Sequence, residues 1–161
     1  MSKKIKLLIV IIILFVSIFI VDLIYVKTAT VKPDNLYLTR ENSEEKVQAS
    51  IGSYTWKRKG IIRNINVSAD SIGPVSIDYN KKIEVKAEDK IYFNDCNWTN
   101  VSASLILQKD GKEMAILPME SNLEERYIVI PQLVEDDYII KIDLESNKGN
   151  IWYSAKINIT K

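Results

Sequence analysis

The sequence predicts an antiparallel β-sandwich of about eight strands, preceded by one N-terminal transmembrane helix. Three observations lead to this all-β prediction. An apolar stretch near the N-terminus, Leu7–Val26, is bounded by lysines. From residue 82 onward, apolar and polar residues alternate with period two, in segments that recur roughly every ten to twelve residues. Tyr138 begins one of the last segments, and Leu133 lies five residues before it. This is the spacing of a tyrosine corner, a feature of β-sandwiches.

The apolar stretch Leu7–Val26 has twenty residues, which as a helix span roughly 30 Å, the thickness of a bilayer's hydrocarbon core. Asp22 interrupts it, and the uninterrupted run Leu7–Val21 also suits the apolar region of a signal peptide. Cleavage after Ala29 would place Lys27 where a small residue is needed, and no cysteine follows the run, which excludes a lipoprotein signal. An uncleaved anchor is therefore favoured, with a cleaved signal as the alternative.

Charge sets the orientation of this anchor. Lys3, Lys4 and Lys6 precede it and one lysine follows it. The positive-inside rule then makes residues 1–6 a cytoplasmic tail and leaves the remainder extracytoplasmic, in a single-pass topology at the cell membrane. Asp22 lies about one turn from the outer boundary, where its carboxylate can reach the lipid headgroups. The less favoured alternative is an intramembrane contact, in which Asp22 pairs with a basic residue on a partner helix.

Residues 27–46 are polar and charged and contain Pro33, which predicts a stalk between the membrane and the domain. Within this stalk, Leu36–Leu38 is a candidate short strand. The β-domain is predicted to comprise residues 47–161, a length sufficient for one domain with its own core.

The first strand of this predicted domain is Val47–Trp56, in which Gly52 predicts a bend or a bulge. Lys57–Gly60 predicts a turn. Ile61–Val67 shows near alternation and predicts the next strand. Residues 68–74 contain glycine and proline and predict a loop with one 3₁₀ turn.

The middle of the chain predicts four further strands. In Lys82–Ala87 the apolar residues, Ala87 included, face one way and the charged residues face the other. Ile91–Phe93 follows after a short turn. Val101–Leu107 and Glu113–Leu117 flank an Asp-Gly sequence at positions 110 and 111, which predicts a β-hairpin.

The last strands are the most regular. Arg126–Ile130 predicts one strand, and Tyr138–Leu144 and Ile151–Ile159 predict a long antiparallel hairpin with one buried face. The hydroxyl of Tyr138 is expected to bond back to the backbone a few residues upstream. Asp136 and Asp137 precede this tyrosine and predict a solvated turn, with a pair of calcium ligands as the less favoured alternative.

Composition argues against several classes of function. Residues 28–161 carry 18 basic and 20 acidic side chains, a net charge of −2, which argues against a nucleic-acid binder. The chain has no histidine, which excludes a Ser-His-Asp triad, a Cys-His nucleophile and His-based zinc sites. Cys96, the one cysteine, cannot form an intrachain disulfide and is expected to be a buried or half-buried thiol beside Trp98. We predict no enzyme activity, no cofactor and no metal site.

Two stretches carry a resemblance to known proteins. One is Ala49–Trp56, which contains the pattern Gly-Ser-Tyr-x-Trp, and the other is the closing hairpin from Asp136 to Ile157. Together they resemble uncharacterised secreted or membrane-anchored proteins of Firmicutes, whose extracytoplasmic domain carries a Gly-Ser/Thr-Tyr-x-Trp motif near its start. The resemblance covers most of residues 47–161 and implies an immunoglobulin-like domain without an established activity. The basic run after Trp56 departs from the pattern of the group.

Large aromatic residues and this basic run are the candidate contacts for a ligand. Tyr54 and Trp56 share a strand face, where aromatic pairs stack on sugars or anchor a partner but more often belong to a core. Trp152 lies on the polar face of its strand, so it is either an exposed aromatic residue or a rim residue that covers a neighbouring strand. The basic run is either a solvated turn or a contact for anionic polymer or lipid headgroups. The candidate contact residues are Tyr54, Trp56, Lys57, Arg58, Trp98 and Trp152.

These features favour a non-enzymatic module tethered to the cell envelope, which binds an envelope protein, a wall polymer or a small ligand, or serves as an accessory subunit. The alternative is the ectodomain of a sensor or regulatory complex. Such a complex would signal through a partner helix that meets Asp22 in the membrane.

Overall fold

The computed structural model of the protein describes residues 2–28, 32–79, 81–94, 97–109 and 112–160. The described residues form one α-helix, twelve β-strands and one short 3₁₀ helix. The helices are α1 (Lys3–Thr28) and η1 (Pro74–Ser76). The strands are β1 (Tyr37–Arg40), β2 (Lys46–Gln48), β3 (Ser50–Lys59), β4 (Asn64–Ala69), β5 (Lys82–Lys86), β6 (Lys90–Phe93), β7 (Asn100–Lys109), β8 (Lys112–Met119), β9 (Ser121–Asn122), β10 (Tyr127–Val129), β11 (Asp136–Ser146) and β12 (Gly149–Thr160).

Helix α1 contains the predicted anchor. Lys3–Tyr25 is long and apolar enough to cross a membrane, a property that it shares with a signal sequence. Most of its apolar side chains are exposed; Phe15, for example, is 69% exposed. Helix α1 is therefore not a core helix of the β-domain, as the prediction of a transmembrane segment requires.

The strands form two sheets, and this confirms the predicted β-sandwich. The small sheet has the order β2-β1-β6-β10-β9 and is antiparallel throughout. The large sheet has the order β4-β3-β12-β11-β7-β8, and β5 pairs in parallel with the C-terminal part of β12. Twelve strands are described where about eight were predicted, because the predicted strand Val47–Trp56 divides into β2 and β3, and a strand as short as β9 gives no alternating pattern.

The core lies between the two sheets. Leu38, Ile91 and Ile128 of the small sheet are fully buried, as are Ile140 and Ile157 of the large sheet. The alternating faces predicted for the closing hairpin are confirmed, since β11 and β12 pair in register from Asp136 opposite Ile159 to Ser146 opposite Gly149. Ala87 is an exception to its predicted face and is exposed, because β5 ends at Lys86 and a turn follows.

The folded domain begins earlier than predicted. Leu36 and Leu38 are fully buried, and β1 lies between β2 and β6 in the small sheet. Part of the predicted stalk, residues 27–46, therefore belongs to the domain, and the predicted start at residue 47 is too late. The short strand gave only one period of alternation and lies among polar residues, so its burial was not evident from the pattern.

The tyrosine corner is confirmed. The Tyr138 hydroxyl donates a hydrogen bond to the carbonyl oxygen of Val134 at 2.9 Å. Burial, together with the charge of the neighbouring Asp136, raises the pKa of Tyr138. The predicted hairpin strands β7 and β8 also pair with each other, whereas the Asp-Gly turn at positions 110 and 111 and the thiol of Cys96 lie outside the described residues.

Candidate functional site

The outward face of the large sheet carries a polar groove of about 350 Å³, which we call the Trp152 groove. It lies where β3, β12, β11 and β7 run side by side, and alternate residues of these strands project into it. Its polar walls carry carboxylates, hydroxyls and amides. They comprise Ser53, Thr55, Asp70, Asn100, Ser102, Asp143, Glu145 and Asn150, with Trp152 as the large aromatic residue.

Trp152 lies across a bulge in β3. The pairing of β12 with β3 shifts between Ile151 and Tyr153, so that β3 has one extra residue there. A Cβ atom built on Gly52 would lie 2.1 Å from Cδ2 of the Trp152 indole, so the ring rests on the glycine backbone. This confirms the bulge predicted at Gly52. It also places Trp152 as a half-buried residue that covers a neighbouring strand.

A lysine forms an ion pair with the carboxylate next to the indole. The Lys141 Nζ lies 2.7 Å and 2.8 Å from the two carboxylate oxygens of Asp143, and 5.9 Å from the centre of the Trp152 ring. Asp143 is the cross-strand partner of Trp152 in the closing hairpin. The Trp152 ring therefore packs on the backbone of Gly52, and the ion pair between Lys141 and Asp143 orders the side chains beside it. Both contacts are present without a ligand.

The other aromatic candidates have different positions. Trp56 is 6% exposed and Trp98 is 9% exposed, and their rings pack edge to face with centroids 6.1 Å apart. Both belong to the core, which for Trp56 is the position favoured from the sequence. Tyr54 is half-buried and lines the Trp152 groove. Tyr54 also packs against the core. The motif Gly-Ser-Tyr-x-Trp thus contributes Ser53 and Tyr54 to the lining of the groove, places Gly52 beneath the indole and contributes its tryptophan to the core.

Lys57 and Arg58 lie near the C-terminal end of β3. They line a second depression of about 770 Å³, which we call the basic pocket. Among the described residues, five basic side chains and no acidic side chain line it. They are Lys32, Lys57, Arg58, Lys59 and Lys148. The backbone N–H of Lys57 donates to the carbonyl of Lys148 at 2.5 Å, which joins the β11–β12 turn to this end of β3.

Asp22 contacts a part of its own chain that was not predicted from the sequence. Its carboxylate is fully buried. One oxygen accepts hydrogen bonds from the backbone N–H groups of Ile61 at 2.8 Å and Ile62 at 3.1 Å. The other oxygen lies 3.3 Å from Nε of Arg63. The partner of Asp22 in this structure is thus the chain's own β3–β4 turn.

Sequence reasoning missed the residues that meet Asp22. Ile61, Ile62 and Arg63 lie about forty positions further along the chain, and no periodic pattern links them to α1. The one signal was local: two adjacent isoleucines after Gly60, which were predicted to begin a strand and which lie in the turn between β3 and β4, because β3 extends to Lys59 and β4 begins at Asn64.

The contacts of Asp137 favour a structural role over the alternative of a calcium-ligand pair at Asp136 and Asp137. Its carboxylate accepts hydrogen bonds from Lys82 at 2.5 Å and from Asn158 at 2.9 Å, and lies 3.1 Å from Lys156. The hydrogen bond from Lys82, with Lys156 and Asn158, lowers the pKa of Asp137 to about 2. Asp137 is therefore the acid of a structural ion-pair cluster. Among the described residues, no group of three His, Cys, Asp or Glu side chains is placed to hold a metal ion.

Comparison with known proteins adds one distant likeness. No protein-family model matches the chain, and no curated protein matches it. A solved structure that matches is the crystal structure of CopC from Methylosinus trichosporium OB3b, at 20% identity and a TM-score of 0.34. The match covers 48% of this chain and 82% of that one. At this similarity it supports no inference about what the chain binds.

Proposed function

We propose that the protein is a membrane-tethered, extracytoplasmic binding module without catalytic activity, which binds a polyhydroxylated polymer of the cell envelope in the Trp152 groove. One observation carries the proposal: a half-buried indole, fixed on Gly52, lies among hydroxyl, amide and carboxylate groups on an outward sheet face. The apolar faces of sugar rings stack on indoles, and sugar hydroxyls donate hydrogen bonds to carboxylates.

The fixed position of the indole favours binding. A ligand that stacks on a preorganised ring does not have to order that side chain, so less of the interaction free energy is lost on association. Lys141 holds Asp143 next to the ring, so the acceptor groups for sugar hydroxyls are also in place. The remaining groove carboxylates, Asp70 and Glu145, are available on either side.

We assign the groove to binding and not to catalysis. The chain has no histidine to act as a base. Asp143, the carboxylate closest in register to Trp152, is engaged by Lys141 through both of its oxygens. A general acid and a general base with separate environments, as glycoside hydrolysis requires, are not evident among these acids.

The tether in this proposal is α1, as an uncleaved anchor with its N-terminus in the cytoplasm. The support is the excess of lysines before the apolar stretch and the length of that stretch. Retention of the N-terminal segment on the mature protein, measured by intact mass, tests the anchor against a cleaved signal.

A signalling role through a partner helix has less support. That alternative relied on Asp22 as a group available within the membrane. Its carboxylate accepts hydrogen bonds from Ile61, Ile62 and Arg63 of the same chain, so we do not propose it as the contact for a second helix.

Titration of the full-length protein in nanodiscs with soluble wall-glycan fragments tests the binding proposal. We expect saturable binding by calorimetry, and a loss of at least tenfold in affinity for Trp152→Ala. Tyr37→Ala is the matched control, because Tyr37 is an exposed aromatic residue of the small sheet. The proposal is wrong if no glycan binds, or if Trp152→Ala binds as the parent does.

A further inference from the structure

We infer that the tip of the β3–β4 hairpin, residues 57–63, is a second membrane-contacting element, whose isoleucines enter the outer leaflet and whose basic residues bind the phosphates of anionic lipid headgroups. This inference rests on the proposed anchor and on nothing in the Trp152 groove. It assigns a membrane-binding surface to a part of the β-domain itself.

The depth of this tip relative to the anchor is set by Asp22. Asp22 lies five residues before Lys27, which corresponds to about 7.5 Å along a helix. Its carboxylate holds the backbone N–H groups of Ile61 and Ile62. The tip is therefore fixed beside the outer turns of α1, below the lysine that ends the apolar stretch.

The isoleucines of the tip are exposed apolar residues. Ile61 is 61% exposed and Ile62 is 54% exposed, although they are adjacent and lie next to a membrane-spanning length of helix. In water, such a pair at a turn would leave apolar surface hydrated, whereas a bilayer at this depth would cover it. Each of their backbone N–H groups already has Asp22 as an acceptor, so entry into the lipid does not leave these donors unpaired.

The geometry of the turn favours this close approach. The N–H of Gly60 donates to the carbonyl of Arg63 at 2.7 Å and closes the turn. A Cβ atom on Gly60 would lie 2.4 Å from that carbonyl oxygen and 3.0 Å from the nearer carboxylate oxygen of Asp22. A side chain here would therefore push the turn and the Asp22 carboxylate apart.

Basic residues of the tip lie on the side of the headgroups. The Arg58 guanidinium lies 4.8 Å from the ring centre of Tyr25, which is nearer the outer end of α1 than Asp22. Arg63 lies deeper, 5.5 Å from the ring centre of Phe19, and pairs with the Asp22 carboxylate. Lys57 and Lys59 line the basic pocket, whose described lining residues include no acid. Cations next to inserted apolar side chains match the order of phosphate and acyl chain in a leaflet, and phosphate oxygens accept strong hydrogen bonds from lysine and arginine.

The opposite end of the domain provides a control surface. β11 has eleven residues and separates the β11–β12 turn, which lies by the basic pocket, from Val134 by roughly 35 Å. Val134 is 79% exposed and is also apolar. A label at Val134 should therefore remain in water whenever a label at Ile62 is in lipid.

Nitroxide labels read by power saturation test the insertion. Single cysteines replace Ile62, Val134 or Ile13 in a Cys96→Ser background, and the full-length protein is placed in nanodiscs of phosphatidylcholine with phosphatidylglycerol. We expect the ratio of oxygen to nickel-chelate accessibility to be several-fold higher at Ile62 than at Val134. Equal ratios at these two positions, with a high ratio at Ile13 in the helix, would overturn the inference and leave the anchor intact. A low ratio at Ile13 would refute the anchor and the inference together.

Two further measurements test the contact between Asp22 and the tip, and the binding of anionic headgroups by the basic residues. Asp22→Leu should lower the accessibility ratio at Ile62 at least twofold and leave the ratio at Ile13 unchanged. An unchanged ratio at Ile62 would show that Asp22 does not hold the tip in the lipid. The ratio at Ile62 should fall when phosphatidylglycerol is omitted, and Lys57→Gln with Lys59→Gln should abolish that difference between lipids. Identical ratios in the two lipid compositions would refute the binding of anionic headgroups.

Discussion

At the scale of single residues, Gly52 controls the Trp152 groove. An added Cβ would meet the indole at 2.1 Å, a distance that requires the ring or the strand to shift. We predict that Gly52→Ala costs about 1–3 kcal/mol of unfolding free energy, as overpacking typically does. It should also lower affinity for the groove ligand, because Trp152 has to leave its position. Urea unfolding and calorimetry measure the two effects.

Gly73→Ala is the matched control for this substitution. A Cβ atom on Gly73 would meet nothing within 4 Å. We expect a change of unfolding free energy within about 0.5 kcal/mol of zero, typical of surface positions. Similar losses for the two glycines would show that the contact with Trp152 is not what requires Gly52.

A second residue-scale prediction concerns acid sensitivity at Asp137. The carboxyl has a pKa of about 2 in the folded chain against a usual 3.8, because Lys82, Lys156 and Asn158 stabilise the carboxylate. A lowered folded-state pKa stabilises the fold above pH 3.8, and this contribution is lost as the pH falls from there towards 2. The side chain is 31% exposed, so solvent screening reduces the contribution to the order of 1 kcal/mol.

Unfolding free energy measured between pH 6 and pH 2 checks this. Asp137→Asn should be less stable than the parent near neutral pH and converge with it towards the acid end of that range. Asp78→Asn, at an exposed acid outside the cluster, should follow the parent curve. A constant difference between Asp137→Asn and the parent at every pH would contradict the prediction.

At the scale of elements, the segment around η1 covers part of the outer face of the large sheet. The Tyr79 hydroxyl donates to the carbonyl of Pro74 at 2.7 Å and lies 2.8 Å from the hydroxyl of Ser154, which is fully buried. Burial raises the pKa of Tyr79, as expected for a phenol held under a loop. Ile139, on the outward side of β11, is also buried, and η1 contacts that strand.

We predict that Tyr79→Phe loses about 1 kcal/mol of unfolding free energy, since it leaves the Ser154 hydroxyl with one partner fewer in a buried position. Ser154→Ala in the same background should restore part of the loss, because the two groups interact directly. Tyr37→Phe, at an exposed residue, is the control and should be near neutral. Additive effects of the changes at Tyr79 and Ser154, measured by chemical denaturation, would mean that the two hydroxyls are not coupled.

Elements with strict alternation were predictable from the sequence, and contacts between distant elements were not. The closing hairpin was predicted with its buried face, because the same period of two repeats along both of its long strands. β1 was assigned to a stalk, because four residues give too little pattern. The outward side of Trp152 was evident from its strand, but its contact with Gly52 depends on how β12 pairs with β3. The Asp22 contacts required knowing which loop returns to the helix.

At the scale of the whole molecule, if α1 is the proposed anchor, its contacts with the hairpin ends set which end of the sandwich is nearer the membrane. The β3–β4 tip is fixed to Asp22, and the β11–β12 turn is joined to it through Lys57 and Lys148. The Trp152 groove is lined by residues next to these turns, such as Thr55 and Asn150. A ligand in the groove would therefore be held close to the bilayer, and the distal end of the sandwich would face away from it.

This arrangement predicts unequal distances from the membrane for the two ends of β11. A donor dye at Asn147→Cys should transfer energy to an acceptor lipid much more efficiently than one at Val134→Cys, in the Cys96→Ser background, since the strand between them spans roughly 35 Å. Asp22→Leu should reduce the difference, because it removes the hydrogen bonds and the ion pair that join the β3–β4 tip to α1. Equal transfer from the two positions in the parent would mean that the domain lies flat or rotates freely. The contacts between Asp22 and the hairpin would then not set the orientation in a bilayer.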